Sequence, residues 1–271
     1  MGSVMCLVLF AYQIHPEFPL ILAANRDEFY ARPSRPLSYW KDAPHVLAGR
    51  DLQGKGTWLG VTRRGKIAAL TNYRDPASRI DGAPSRGALV ADFLKGVDTV
   101  ESYFDSIAGK KDRYNGFNLI AGHVGRLLYY ANQRGEVREI APGFYGLSNH
   151  LLDTPWPKLQ KAKARFKDLL RDGGQVDPDR IFKILADRTR PPDSLLPDTG
   201  VGKRRERFLS SIFIAGRRYG TRNSSVLCIK HTGKVTFSER NFDLRGQART
   251  RTFVFTSRNA GSQLLPAQPT A

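Results

Sequence analysis

Short apolar runs that alternate with polar residues and break at Gly, Pro, Asn or Asp fill both ends of the chain, and helical spacing is confined to the middle. Alternation at period two belongs to half-buried strands, whereas apolar residues recurring three and four apart belong to helices. The pattern predicts strands over 6–13, 20–24, 57–62, 66–72, 117–123, 126–131, 225–230, 234–238 and 251–256. Helices are expected over 86–95, 99–107 and 156–170, the last opening after Thr154-Pro155 and closing before Gly173-Gly174, with a shorter one over 179–187. Strands, then helices, then strands imply an α+β layered domain with antiparallel sheets, not a doubly wound parallel one. With 271 residues, 41% of them hydrophobic, the chain can bury one large core, so a single domain over 1–260 is expected. The Pro- and Asp-rich stretch 190–201 reads as a loop and 261–271 as a flexible tail; no internal repeat is present.

Composition narrows the function classes. Two cysteines, Cys6 and Cys228, form no close-spaced pair, which excludes a disulfide framework or zinc knuckle and fits a reducing, cytoplasmic setting. The apolar run at 5–10 is far shorter than the roughly 20 residues a membrane helix needs, so no stable membrane insertion is expected. It also lacks the basic flank and cleavage site of a secretory signal, and Met1-Gly2 has Cys where a myristoylation pattern requires Ser or Thr. A net charge of +18 attracts anions without choosing among them. The Lys and Arg residues are scattered, and no arginine-rich helix, ribonucleoprotein motif or zinc finger accompanies them. The expectation is a basic surface biased toward an anionic small molecule, with no nucleic acid and no required metal.

Cys6, in the run Met5-Cys6-Leu7-Val8-Leu9-Phe10, has two readings. In one it is a small buried hydrophobe in a strand, the common fate of a free cysteine. In the other it is a nucleophile activated by its own α-amine, a base that titrates near about 8. That second reading requires Met1 to Met5 to be absent from the mature chain, through initiation at Met5 followed by Met removal or through cleavage of a leader. As written, Cys6 is internal and carries no such amine.

Five short motifs follow in order: Asn25-Arg26-Asp27-Glu28, Gly56-Thr57-Trp58-Leu59-Gly60, Ala69-Leu70-Thr71-Asn72-Tyr73-Arg74, Tyr145-Gly146-Leu147-Ser148-Asn149 and Tyr219-Gly220-Thr221-Arg222. Together they resemble the NRDE-motif family, also called the transport-and-Golgi-organisation-two family. The resemblance implies an N-terminal nucleophile hydrolase-like fold, an αββα sandwich of two antiparallel sheets between helical layers. It also implies roles in haem trafficking or in acyl-CoA and lipid-metabolite handling.

Within that superfamily the bile-salt hydrolase and penicillin V acylase branch offers the chemistry. By resemblance Arg26 would lower the Cys6 thiol pKa, and Asp27 would hydrogen-bond the α-amine; read from the residues alone, the two are a local ion pair closing a turn. Asn149 resembles a turn asparagine that donates to the oxyanion, a contribution of about 3 kcal/mol. Asn72 or Tyr73 is the candidate second donor, turn capping being the alternative use of Asn. Arg222 would face the cysteine as a second cation, and Glu28 has a structural place. None of the five histidines sits in a haem motif; His150, beside Asn149, and Cys6 are the candidate iron ligands if haem is a carried ligand. Two functions follow: hydrolysis of an amide or thioester through Cys6, or a haem or acyl-CoA binding protein without turnover.

Overall fold

The computed structural model describes residues 5–171, 173–243 and 247–257. The expected tail at 261–271 and the four residues before Met5 lie outside the described residues. In β1 (Met5–Tyr12) the period-two alternation is strict. Val8, Phe10 and Tyr12 face one core, and Leu7, Leu9 and Ala11 face another. A strand buried on both faces must be the inner layer of something thicker than a two-layer fold.

Two antiparallel sheets supply those layers. The first runs β10 (Gly143–Leu147), β1, β2 (Leu20–Phe29), β11 (Tyr219–Ile229), β12 (Lys234–Phe242), β13 (Ala248–Thr256). The second follows chain order: β3 (Ser34–Tyr39), β4 (Val46–Asp51), β5 (Leu59–Thr62), β6 (Ile67–Asn72), β7 (Phe117–His123), β8 (Arg126–Ala131), β9 (Glu136–Glu139). Phe10, Leu22, Leu47, Val61, Ile120 and Phe237 interdigitate between them. The helices α1 (Gly87–Lys95) and α2 (Val100–Ala108) cover the outer face of the second sheet, where Phe93 and Phe104 meet Leu119 and Tyr130. On the first sheet, α3 (Pro157–Leu170) and α4 (Pro178–Leu185) press Phe166 and Ile181 onto Leu9 and Ile21. The architecture is therefore the expected αββα sandwich, with one further helix, α5 (Lys203–Leu209), ahead of β11. Among the described residues, no helix is long and apolar enough to cross a membrane.

Local chemistry explains the boundaries. Thr99 caps α2 by accepting from the Ser102 amide at 3.2 Å. Asp177 does the same for α4 by accepting from Asp179, and Pro157 and Pro178 occupy first-turn positions where no amide hydrogen is needed. The alternation also sorts the motif in β2. Leu20, Leu22 and Ala24 face the inter-sheet core, so Arg26 and Glu28 continue that face; Ile21 and Ala23 face α3 and α4, so Asn25 and Asp27 continue theirs.

Candidate active site at the polar end of the sandwich

At one end of the sheets the alternating apolar residues give way to buried polar ones: Asn25 to Glu28 on β2, Thr221 and Asn223 to Ser225 on β11, Thr71 and Asn72 on β6. Cys6 pairs with Arg26 across β1 and β2 and opens on a cavity of about 740 Å³ between the sheets, together with Trp58, Asn72, Tyr73 and Arg86. The Arg26 guanidinium lies 4.2 Å from the centre of the Trp58 ring. It stands 3.6 Å from a Glu28 oxygen and 4.0 Å from Asp51, and its Nη1 is buried without a partner. Arg32 closes the group, 2.7 Å from Asp51 and 3.4 Å from Glu28. A cation held by a ring face and two distant carboxylates is positioned without being neutralised.

Burial decides the state of the thiol. It pushes Cys6 up to about 12, with the Asp27 charge adding to the rise; the Arg26 charge and a hydrogen bond from the Asp27 backbone oppose it. Arg26 is expected from sequence to lower this thiol, and its charge does oppose the rise. The cation acts in the expected direction, but desolvation of a 5% exposed thiol outweighs it. Cys228, on the helix-facing side of β11, is pushed to about 12 by burial alone.

Asp27 lies behind the sheet rather than in the cavity. Its Oδ1 accepts from the Thr221 hydroxyl at 2.6 Å, while Oδ2 is buried and unpartnered. In the β1–β2 register Asp27 stands opposite Met5, the residue just before Cys6. Burial raises the Asp27 carboxyl, and the nearby Lys158 ammonium is the largest force holding it down. Lys158 is buried, is itself lowered by desolvation, and donates to the Leu209 carbonyl at 3.0 Å. Lys158 is not among the residues expected from sequence, yet it shares the buried stripe 158, 162, 166, 170 of α3, a spacing that could have drawn notice.

Asn149 is fully buried, and its amide donates to the Asn72 carbonyl at 2.8 Å, so these two residues are in contact. The adjoining Ser148 hydroxyl donates to the Cys6 carbonyl at 3.2 Å, which ties that turn to the start of β1. Arg222 donates to the carbonyls of Phe29, Tyr30 and Arg32 at 3.0, 3.0 and 3.2 Å. It fastens the turn after β2 and does not line the cavity. Arg86, also missed, stands at the start of α1 with its guanidinium donating to the Gly116 carbonyl at 2.8 Å; burial lowers it to about 10. Gly56 lets the segment before Trp58 cross α1 closely, since a Cβ there would sit 2.2 Å from the Gly87 carbonyl carbon. His150, the candidate iron ligand, has both ring nitrogens engaged, by Tyr73 at 2.9 Å and Thr154 at 2.8 Å. Among the described residues, no group of His, Cys, Asp and Glu is arranged to hold a metal ion.

Comparison with known proteins places this geometry in a family. The family model described as Transport and Golgi organisation 2 matches residues 5–244. The human Transport and Golgi organization protein 2 homolog is 39% identical, covering 93% of this chain and 99% of its own, and the mouse homolog is 36% identical with the same coverages. The Drosophila melanogaster protein is 28% identical over 87% of this chain and 91% of its own. Among solved structures, penicillin V acylase from Agrobacterium tumefaciens superposes with a TM-score of 0.46 at 12% identity, over 94% of this chain and 88% of that one. A mutant of conjugated bile acid hydrolase from Clostridium perfringens gives 0.48 at 10% identity, over 94% and 97%. On the family match and the extent of its relatives' identity, the chain belongs to the Transport and Golgi organisation 2 family.

Proposed function

We propose that the mature protein begins at Cys6 and hydrolyses an amide or thioester bond of an anionic substrate. One observation carries this reading. Cys6 and Arg26 face the cavity, whereas Asp27, on the other face of the same strand pair, keeps a buried, unpartnered Oδ2 opposite the residue that precedes Cys6. A buried carboxylate oxygen with no donor is costly, and an α-ammonium on Cys6 would satisfy it. In the neutral fraction the same α-amine, still donating an N–H toward Asp27, takes the thiol proton and becomes the ammonium, and the thiolate, beside Arg26, attacks the acyl carbon. The Asn72 and Asn149 amides are the candidate donors to the oxyanion. Collapse breaks the C–N or C–S bond, the ammonium returns its proton to the leaving amine or thiolate, and water then cleaves the acyl-cysteine to free a carboxylate. Arginines 26, 32, 74 and 86 on the cavity wall suit an anionic group on the substrate. The two free cysteines fit a reducing, cytoplasmic location.

The raised thiol favours a second reading, in which the unprocessed chain binds an anion such as an acyl-CoA or the propionates of haem without turnover. Iron ligation does not fit the residues present, because the imidazole of His150 is fully engaged and the Cys6 thiol is held protonated. Intact-mass measurement separates the two readings. A chain verified to start at Cys6 should gain one acyl group from activated esters or thioesters, lost in Cys6→Ser. Absence of both adduct and turnover across amides, thioesters and lactones would leave only the binding reading.

A further inference from the structure

Strands β4 and β6, which end at the Cys6 cavity, begin beside a second one. A hollow of about 580 Å³ lies at the opposite end of the second sheet, where β5 turns into β6, β7 ends and α1 closes at its C-terminus. Its size falls in the range of small-ligand sites. His45, Arg63, Arg64, Lys66, Lys95 and His123 line it, and no carboxylate does. Some of these side chains are engaged. Lys66 donates to the carbonyls of Gly96 and Asp98 at 3.0 and 2.8 Å, Arg63 stacks 4.1 Å from the centre of the Tyr39 ring, and Lys95 lies 3.7 Å from Asp92. Others are not. Arg64 has no hydrogen bond or ion pair among the described residues, and the Nδ1 of His123 is buried with no partner. Pro44, Leu94 and Val97 add apolar wall, and Val97 is 90% exposed, the most exposed large apolar side chain described.

An apolar residue left that bare, beside a concave wall carrying positive charge and no negative charge, matches a ligand with two parts. We propose that this hollow binds a small anionic amphiphile, its carboxylate or phosphate held by Arg64 and His123 and its apolar chain laid along Pro44 and Val97. The concavity favours a small molecule over a flat membrane surface, because the cationic groups surround a volume rather than forming a plane. The site is independent of the chemistry assigned to Cys6.

The test uses the full chain, titrated with sodium dodecanoate, 1-dodecanol and inorganic phosphate below micelle-forming concentrations and followed by amide NMR. Dodecanoate should shift the amides of residues 45, 63–66, 94–97 and 123, and should bind more tightly than either the neutral alcohol or phosphate alone. Arg64→Glu, a substitution at an exposed position, should weaken dodecanoate about tenfold, since it turns an attraction into a repulsion of similar size. Val97→Ser should weaken dodecanoate while leaving phosphate unchanged. Equal affinity for dodecanol, shifts confined to the Cys6 cavity, no effect of Arg64→Glu, or binding to anionic vesicles with none to monomeric dodecanoate would each overturn the proposal.

Discussion

Four side chains near the start of β1 divide the electrostatic work between the two faces of one strand pair. On the cavity face, Arg26 stands beside a thiol that burial keeps protonated; on the helix face, Asp27 and Lys158 are two opposite charges that burial makes costly and proximity partly compensates. Their titration makes a stability prediction. Asp27 is raised from 3.8 to about 6, so the folded state holds its proton more tightly, and that contribution is full below about 3.8 and lost as pH rises through about 6. Lys158 is lowered from 10.5 to about 8, so the unfolded state binds more protons in that window and stability rises across it. In Lys158→Met the rise between about 8 and 10.5 should vanish and the Asp27 decline should extend above pH 6, as read from urea midpoints against pH. An Asp27 decline still centred near pH 6 in that variant would mean that the two groups do not interact. Of these four, Cys6, Arg26 and Asp27 stand in motifs that can be read in the chain. Lys158 does not announce itself, because a lysine on a helix is ordinarily solvated and only its place on the 158–170 stripe distinguishes it.

Among the elements, those with clean periodicity were legible and those built for the site were not. Strands β1, β6, β7 and β8 and helices α1 to α4 fall close to where spacing put them. The missed strands β3, β4, β9 and β10 are short or carry Pro or Gly, and β3 and β9 lie at sheet edges where Pro and charge are tolerated. β2 and β11 run past their apolar ends into Asn25 to Glu28 and into Thr221, Asn223 and Ser224, polar residues that are buried because they face the cavity or one another. The crossing of Gly56 over Gly87 is the contact by which α1 sets the cavity rim. Gly56→Ala should cost about 1–3 kcal/mol in urea unfolding, because the new methyl meets backbone rather than a movable side chain. It should also alter any activity at Cys6; wild-type stability would show that the two segments separate easily.

Over the whole molecule, the charge of +18 gains a meaning that composition alone did not supply. Cationic side chains line two cavities at opposite ends of the second sheet, and the Cys6 cavity also holds Glu28 and Asp51 to fix its arginines. Association with an anionic ester should therefore slow as salt rises from roughly 0.01 M to 0.5 M, whereas a neutral ester of the same size should be indifferent; stopped-flow measurement of both decides it. On the proposed chemistry, Cys6 becomes a nucleophile only when it carries a free α-amine. The most direct test is the rate of iodoacetamide alkylation against pH at Cys6 and Cys228, read by peptide mass spectrometry, in one chain that retains Met1–Met5 and another that starts at Cys6. Slow reaction is predicted at both cysteines in the longer chain, each titrating near 12, with a Cys6-selective gain at neutral pH in the shorter one. Cys6 reacting no faster than Cys228 in the chain that starts at Cys6 would contradict that chemistry.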